Sequence, residues 1–200
     1  EEDKTHMKKS AVVISLSVIP IIIVAVILAP YRLKRFNTYL SLLLTGKVAD
    51  PQGSGYQMQQ ILIGIGSGGF LGKGFGQSRQ RFGYLVENTA YTDSIFAVFL
   101  EEMGLIGGIL LIFAWLFFLW RGFKIAIGAP DKQGKLLAAG ITIWLTLQAL
   151  MNMGANVGLI PLTGVPSPFL TYGGSNSIVT LIGIAILLNI SKYSNIGNGK

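Results

Sequence analysis

Residues 103–120 read MGLIGGILLIFAWLFFLW, a stretch that decides the fold class because it contains no charged side chain. A helix that crosses the hydrocarbon core of a bilayer needs about 20 mostly apolar residues. The apolar run extends from residue 95 to residue 120, so it is long enough to be such a span. The whole chain agrees: 51% of its 200 residues are hydrophobic and only 12% are charged, with a mean hydropathy of +0.58. Soluble domains are about 25% charged, so the composition predicts an integral membrane protein and excludes a disordered chain.

Three further apolar runs have the length of membrane spans. They cover residues 11–30, 136–153 and 171–190. The predicted fold class is therefore all-α: a polytopic membrane protein with about four transmembrane helices and a large structured extracellular loop at 31–94. Gly104 and Gly108 have the spacing that permits close contact between spans.

The distribution of basic residues predicts the orientation. Residues 121–135 contain four Lys or Arg and one acid, whereas 155–170 contain no charge. Short cytoplasmic loops collect Lys and Arg. We therefore expect 121–135 and both termini to face the cytoplasm, and 31–94 and 155–170 to face outward.

The net charge and the missing residue types exclude several classes of function. The charge is +7, but the basic residues lie between apolar runs rather than on one face, which argues against nucleic acid. There is no cysteine and a single histidine, His6. A disulfide framework, a thiol nucleophile and a metal site built from thiolates or histidines are all excluded.

The outer segment 31–94 is longer than a simple connection, since loops beyond about 15 residues are usually functional or disordered. Residues 56–65 (YQMQQILIGI) predict a short amphipathic helix at the membrane surface. The glycine-rich residues 64–76 then predict a series of turns that needs positive φ angles or close backbone approach.

Charged residues late in the outer segment are candidates for substrate binding. Lys73, Arg79 and Arg81 could hold an anionic lipid headgroup near the carboxylates of Glu87 and Asp93. Plain phospholipid contact is the alternative for the basic residues. For Asp93 the alternative is a helix N-cap, because it precedes the span that begins at residue 95.

Polar residues inside the spans are the other candidates. Glu101 and Glu102 lie two turns inside the 95–120 span, and an acid at membrane depth is a functional candidate by default. Gln148, Asn152 and Asn156 recur every four residues and form one polar stripe on an apolar helix. Such a stripe must face other helices or water, so it predicts hydrogen bonds between helices or, alternatively, a substrate cavity.

Nine strings along the chain together resemble the SEDS family (shape, elongation, division and sporulation proteins) of bacterial cell-wall polymerases, and its division branch (FtsW/SpoVE-like) in particular. They occur in family order and cover nearly the whole chain from residue 11 to 191. The strings are PYRLKRF (30–36), GSGYQ (53–57), IGSGG (65–69), GFGQSRQ (74–80), TDSIFA (92–97), EEMGLIG (101–107), QALMNMG (148–154), PLTGVPSPF (161–169) and YGGS (172–175).

The resemblance implies a fold of about ten spans, of which residues 1–200 would be the C-terminal membrane portion. A chain that begins with Glu rather than Met agrees with that expectation. The family implies a peptidoglycan glycosyltransferase that polymerises lipid II at the outer face of the bacterial cytoplasmic membrane in cell division. Its catalytic aspartate maps to Asp93. The residues we expect to bind substrate are Lys73, Arg79, Arg81, Glu87, Gln148, Asn152 and Ser175.

One departure from the family pattern lies just before Asp93. Residues 85–93 read LVENTAYTD, where the family has Leu-Pro-Glu-x-His-Thr-Asp. Val86 and Tyr91 replace the proline and the histidine, and two extra residues separate Glu87 from Asp93. The Thr92–Asp93 pair keeps its place before the span.

The resemblance also implies partners, location and a cofactor. The expected partners are lipid II, membrane lipids, a class B penicillin-binding protein and other divisome proteins, with no nucleic acid. The expected location is the bacterial inner membrane, as a multi-pass protein at the division septum. A divalent cation, Mg²⁺ or Mn²⁺, is possible, although no residues indicate its ligands. Two alternative functions remain: a transporter or flippase for a lipid-linked precursor, and a non-catalytic membrane scaffold for a penicillin-binding protein.

Overall fold

The computed structural model describes residues 30–53, 55–79 and 92–194, and the regular structure in these ranges is entirely helical. The predicted span at 11–30 lies outside the described residues, apart from Pro30. The five helices are α1 (Pro30–Thr45), α2 (Tyr56–Gly68), α3 (Ile95–Gly128), α4 (Lys132–Asn156) and α5 (Gly174–Tyr193).

Three of these helices, α3, α4 and α5, are long and apolar enough to cross a membrane. The prediction of an all-α membrane protein is therefore confirmed for the described part of the chain. Helix α3 runs eight residues past the predicted end at Trp120, and the Lys124 ammonium lies 4.0 Å from the centre of the Trp120 ring. Only residues 129–131 separate α3 from α4. The Asp131 carboxylate caps α4 by accepting a hydrogen bond from the Gly134 amide at 2.9 Å.

Helix α4 is the central helix of the three. In its most apolar stretch 39% of the residues are buried, against 17% in α3 and in α5. The larger core cluster joins α3 to α4, and a smaller one joins α3, α4 and α5 near the other end. The larger cluster consists of Phe96, Leu100 and Trp115 on α3 and Leu145, Ala149 and Met153 on α4.

Helix α2 lies against the first part of α3. It is three residues longer than predicted, and Ile61 is fully buried against Ala97 and Val98. The amphipathic pattern thus predicted the helix correctly. The apolar face of α2 packs against α3 at Ile61. Contact of this helix with the membrane surface stays a prediction.

Helix α3 is broken at Gly104, where φ is 68° and ψ is −172°. The break leaves the carbonyls of Glu101 and Glu102 without their helical partners. The glycine-rich residues 69–76, which we call the glycine turn, supply the missing donors. The amides of Lys73 and Gly74 each donate to one of these carbonyls at 3.0 Å.

The same turn satisfies the other side of the break. The amides of Leu105 and Ile106 donate to the carbonyls of Gly69 and Phe70, at 3.0 and 3.2 Å. These are the two amides that the carbonyls of residues 101 and 102 would bind in an unbroken helix. Irregular backbone at a membrane is tolerated where protein satisfies its polar groups, and here the turn and the break satisfy each other. The predicted series of turns is therefore confirmed. Gly104 contacts this turn, whereas its spacing suggested contact with another span.

Candidate active site

Asp93 lies just before α3, and its main chain is held by two buried amides. The Nδ2 atoms of Asn152 and Asn156 donate to its carbonyl oxygen at 3.0 and 2.9 Å. The N-cap position of α3 is Ser94, and no side chain caps this helix end. Within 30–53, 55–79 and 92–194 no hydrogen bond to the half-buried Asp93 carboxylate is found. Asp93 is therefore not the N-cap, and within these ranges no hydrogen bond occupies its carboxylate.

The residues on either side of Asp93 are also fixed. The Thr171 hydroxyl donates to the Thr92 carbonyl at 3.0 Å, and the Ser94 hydroxyl accepts from Nε2 of Gln57 at 3.2 Å. Residues 92–94 are thus attached to α2, to α4 and to the loop between α4 and α5. This arrangement fixes the position from which the Asp93 side chain projects.

The polar stripe on α4 binds the main chain of the loop that follows it. Asn152 donates to the Val165 carbonyl at 2.8 Å, and Gln148 donates to the Pro166 carbonyl at 3.0 Å. Gln148 also donates to Oδ1 of Asn176 on α5 at 3.2 Å. The stripe therefore forms hydrogen bonds between elements, the first of the two predicted alternatives. Contact of Gln148 and Asn152 with substrate stays a prediction.

Arg35 on α1 is a cation whose guanidinium lies close to this aspartate. Its Nη1 donates to the Leu162 carbonyl at 3.1 Å, and its guanidinium lies 5.8 Å from the centre of the Tyr31 ring. A Cβ placed on Gly164 would lie 3.4 Å from Oδ2 of Asp93 and 3.9 Å from Nη1 of Arg35. The carboxylate and the guanidinium thus face the same small space. They can be no further apart than the sum of those two distances.

An open groove begins beside Arg35. Its volume is about 600 Å³, and it runs between α1 and residues 161–163. Its wall is mainly apolar, with Arg35 as its charged side chain. Its lining consists of Tyr31, Leu33, Arg35, Phe36, Pro161, Leu162 and Thr163. A groove of this composition can take an apolar chain that carries an anionic group.

Lys73 belongs to a different cluster. Its ammonium binds Oε1 of the buried Glu101 at 2.6 Å and the Ser67 hydroxyl at 2.8 Å. Oε2 of Glu101 accepts from the buried Ser78 hydroxyl at 2.6 Å. Glu101 lies eight residues after Asp93, about 12 Å along the helix. The structure therefore places Lys73 in an ion pair at the helix break, not beside Asp93.

The remaining predicted residues have separate positions. Arg79 is exposed at the end of the segment that follows the glycine turn, and Ser175 is exposed on the first turn of α5, beside Asn176. Arg81 and Glu87 lie outside the described residues. Sequence reasoning missed Arg35, although PYRLKRF was one of the strings that carried the resemblance.

The metal prediction stays a prediction. Within the described ranges no three Asp, Glu or His side chains lie together. Asp93 therefore offers one carboxylate, and Mg²⁺ is commonly bound by one or two carboxylates together with substrate phosphates.

Comparison with known sequences decides the family. The family profile described as a cell cycle protein of the FtsW, RodA and SpoVE type matches residues 4–196. The chain belongs to this family. The resemblance inferred from the nine strings is thereby confirmed, and together with the three apolar helices among the described residues it makes the chain a multi-pass inner-membrane protein.

Individual relatives agree with this assignment. Stage V sporulation protein E of Bacillus subtilis is 47% identical over 169 residues, which is 84% of this chain and 44% of the relative. The probable peptidoglycan glycosyltransferase FtsW of Halothiobacillus neapolitanus is 45% identical over 163 residues, which is 80% of this chain and 38% of the relative. The chain thus spans about two fifths of the length of the curated relatives it matches.

The fold also matches a solved structure. The similar chain comes from work on the structural coordination of polymerization and crosslinking by a peptidoglycan synthase complex. The TM-score is 0.61 at 25% sequence identity, covering 88% of this chain and 48% of the other.

Proposed function

We propose that the chain forms the C-terminal portion of a division-type peptidoglycan glycosyltransferase that polymerises lipid II. The observation that carries this proposal is that the Asp93 carboxylate and the Arg35 guanidinium face the same space beside Gly164, and that Arg35 also lines a mainly apolar groove. The names of the FtsW relatives support the same reaction.

Asp93 would act as the general base. Its carboxylate takes the proton from the C4 hydroxyl of the acceptor GlcNAc while that oxygen forms a bond to the anomeric carbon of the donor MurNAc. The bond from that carbon to the pyrophosphate oxygen breaks, and undecaprenyl pyrophosphate leaves with the electron pair. General base catalysis of this kind contributes about 10²–10⁴-fold.

Arg35 would stabilise the leaving group. Negative charge develops on the pyrophosphate as the bond breaks, and a fixed cation beside it lowers the barrier. The guanidinium has the required rigidity, because Nη1 is held by the Leu162 carbonyl and the remaining N–H groups can bind phosphate. The apolar groove beside it would take the first part of the polyprenyl chain.

Asn152, Asn156 and Thr171 would act as positioning residues. All three bind main-chain carbonyls of residues 92–93, so they orient Asp93 without forming hydrogen bonds to its carboxylate. Such fixed geometry is what makes proton transfer efficient, since the base must lie within hydrogen-bond reach of the hydroxyl.

A divalent cation fits this site only together with substrate. Asp93 and the phosphate oxygens would hold Mg²⁺ or Mn²⁺, which would supply further positive charge to the leaving group. Gln148, Ser175 and Arg79 remain proposed substrate contacts, as do Arg81 and Glu87.

The relatives support the proposed partner and location. The similar solved chain belongs to a peptidoglycan synthase complex, which supports assembly with a class B penicillin-binding protein. The FtsW and SpoVE relatives favour action in division, at the septum, with other divisome proteins.

The test is polymerisation of labelled lipid II in proteoliposomes by a full-length protein that contains this chain. Glycan strands should form with the wild type and should be absent with Asp93→Asn. Translocation of lipid II, measured in the same vesicles, tests the alternative function of a flippase. Movement of lipid II without polymer from the wild type would overturn the enzyme assignment in favour of a flippase.

A further inference from the structure

The tip of the glycine turn carries three large apolar side chains that the protein does not cover. Phe70, Leu71 and Phe75 are 74%, 80% and 79% exposed. The turn itself is firmly held, because four main-chain hydrogen bonds attach it to the break in α3. An apolar tip on a fixed backbone is an arrangement suited to contact with another phase or another molecule.

Lys73 carries the one charge inside the turn, and its ammonium is bound by other residues of the protein. Lys73 lies between Leu71 and Phe75 in sequence, yet its ammonium points to Glu101 and Ser67. Glu101 is almost completely buried, with 1% of its side chain exposed. The ion pair therefore compensates the charge of Lys73 by the buried Glu101, although 30% of the Lys73 side chain remains exposed.

The depth of the glycine turn in the membrane is obtained by counting residues along α3 from its far end. Trp120, with Lys124 over its ring, and Arg121 mark one boundary of the hydrocarbon core, where aromatic and basic residues gather. A core of about 30 Å corresponds to about 20 helical residues. Counting that far back from Arg121 places the opposite boundary near Glu101, the level at which the glycine turn is attached.

The tip is also continuous with the lipid-facing surface of α3. The Phe70 carbonyl accepts the Ile106 amide, and the Gly69 carbonyl accepts the Leu105 amide. Leu105 and Ile106 are themselves about half exposed on the apolar span. The exposed apolar surface thus runs without interruption from the span onto the turn.

We propose that the glycine turn inserts Phe70, Leu71 and Phe75 into the membrane leaflet on the Asp93 side, at the boundary between headgroups and acyl chains. The occupant of this surface is the lipid bilayer. The turn would then fix the height of α2 and of the first part of α3, and so of Asp93, above the hydrocarbon core. This role does not depend on the glycosyltransferase activity.

The experiment uses the absence of cysteine from these 200 residues, and any cysteine elsewhere in the full-length protein is first replaced by serine. Single substitutions Phe70→Cys, Leu71→Cys and Phe75→Cys in the full chain are labelled with an environment-sensitive fluorophore and reconstituted into phosphatidylcholine–phosphatidylglycerol nanodiscs. Quenching is measured with nitroxides high on the acyl chain and near its end, and with aqueous iodide. Leu110→Cys is the control within the membrane, and Lys47→Cys is the control in water; both side chains are exposed.

The three turn positions should lose most emission to the shallow nitroxide and little to iodide, whereas Leu110→Cys should respond most to the deep nitroxide. Iodide quenching as strong as at Lys47→Cys would place the turn in water and overturn the proposal. Protection from both kinds of quencher would show that protein covers the tip, and strongest quenching by the deep nitroxide would show a deeper turn. Either result would also overturn it.

Discussion

Substitution of Gly104 by alanine should be unusually destabilising for a glycine in an apolar helix. With φ at 68° and ψ at −172°, this residue occupies a region that is essentially restricted to glycine. A Cβ there would overlap the Gly72 amide and the Phe70 carbonyl. Because these are backbone atoms of a turn that is itself hydrogen-bonded, they cannot move aside at low cost.

The magnitude follows from the bonds that join the turn to the break. Backbone strain at such a position costs about 1–3 kcal/mol. If α3 straightens instead, it regains the two helical bonds of Glu101 and Glu102, but four polar groups of the turn lose their partners. Each lost hydrogen bond costs about 1 kcal/mol. Straightening therefore loses two hydrogen bonds net, and together with the strain estimate this predicts that Gly104→Ala lowers the free energy of unfolding by about 2–3 kcal/mol.

The assay is reversible unfolding in mixed micelles, followed by circular dichroism, with Gly140→Ala as the matched control. Gly140 lies within α4, and a Cβ there meets no atom within 4 Å. That substitution should raise the free energy of unfolding by about 0.5–1 kcal/mol, since alanine favours helix. A Gly104→Ala variant as stable as the wild type would refute the account of the break.

Three further predictions test the Lys73–Glu101 ion pair and the residues around Asp93. Lys73→Met should lower the free energy of unfolding by about 3 kcal/mol, because it removes the ammonium that binds the buried Glu101 carboxylate; adding Glu101→Leu should recover at least half of that loss in the same unfolding assay. Asn152→Leu should cost about 1–3 kcal/mol, because the Val165 carbonyl loses the amide that binds it and the Asp93 carbonyl keeps only the amide of Asn156, and a stability equal to that of the wild type would contradict the positioning role. Arg35→Gln should reduce kcat for lipid II polymerisation about 10–100-fold with less effect on stability, and an unchanged kcat would remove Arg35 from the site beside Asp93.

The sequence predicted the apolar helices well, because length and hydropathy are local properties of the chain. Helices α3, α4 and α5 lie where their apolar runs do, and the polar stripe of Gln148, Asn152 and Asn156 makes the contacts between elements that its spacing implied. The helix ends were less predictable. Arg121 and Lys124 interrupt the apolar pattern but continue the helix, since basic side chains at a membrane boundary extend toward water.

Contacts between distant parts of the chain could not be predicted. Arg35 meets a carbonyl 127 residues later, and Lys73 meets Glu101 28 residues later. Neither pairing leaves a periodic trace in the sequence. The break at Gly104 could not be predicted for another reason. Glycine is common in membrane helices, so its presence alone does not distinguish a broken helix from a close contact between helices.

The central claim is that Asp93 is the base of a lipid II polymerase. The most direct measurement is the rate constant for glycosidic bond formation by a full-length protein carrying this chain, for the wild type, Asp93→Asn and the control Asp131→Asn, whose carboxylate only caps α4. The account predicts a loss of about 10²-fold or more for Asp93→Asn, with Asp131→Asn close to the wild type. Polymer formation by Asp93→Asn at the wild-type rate would contradict it.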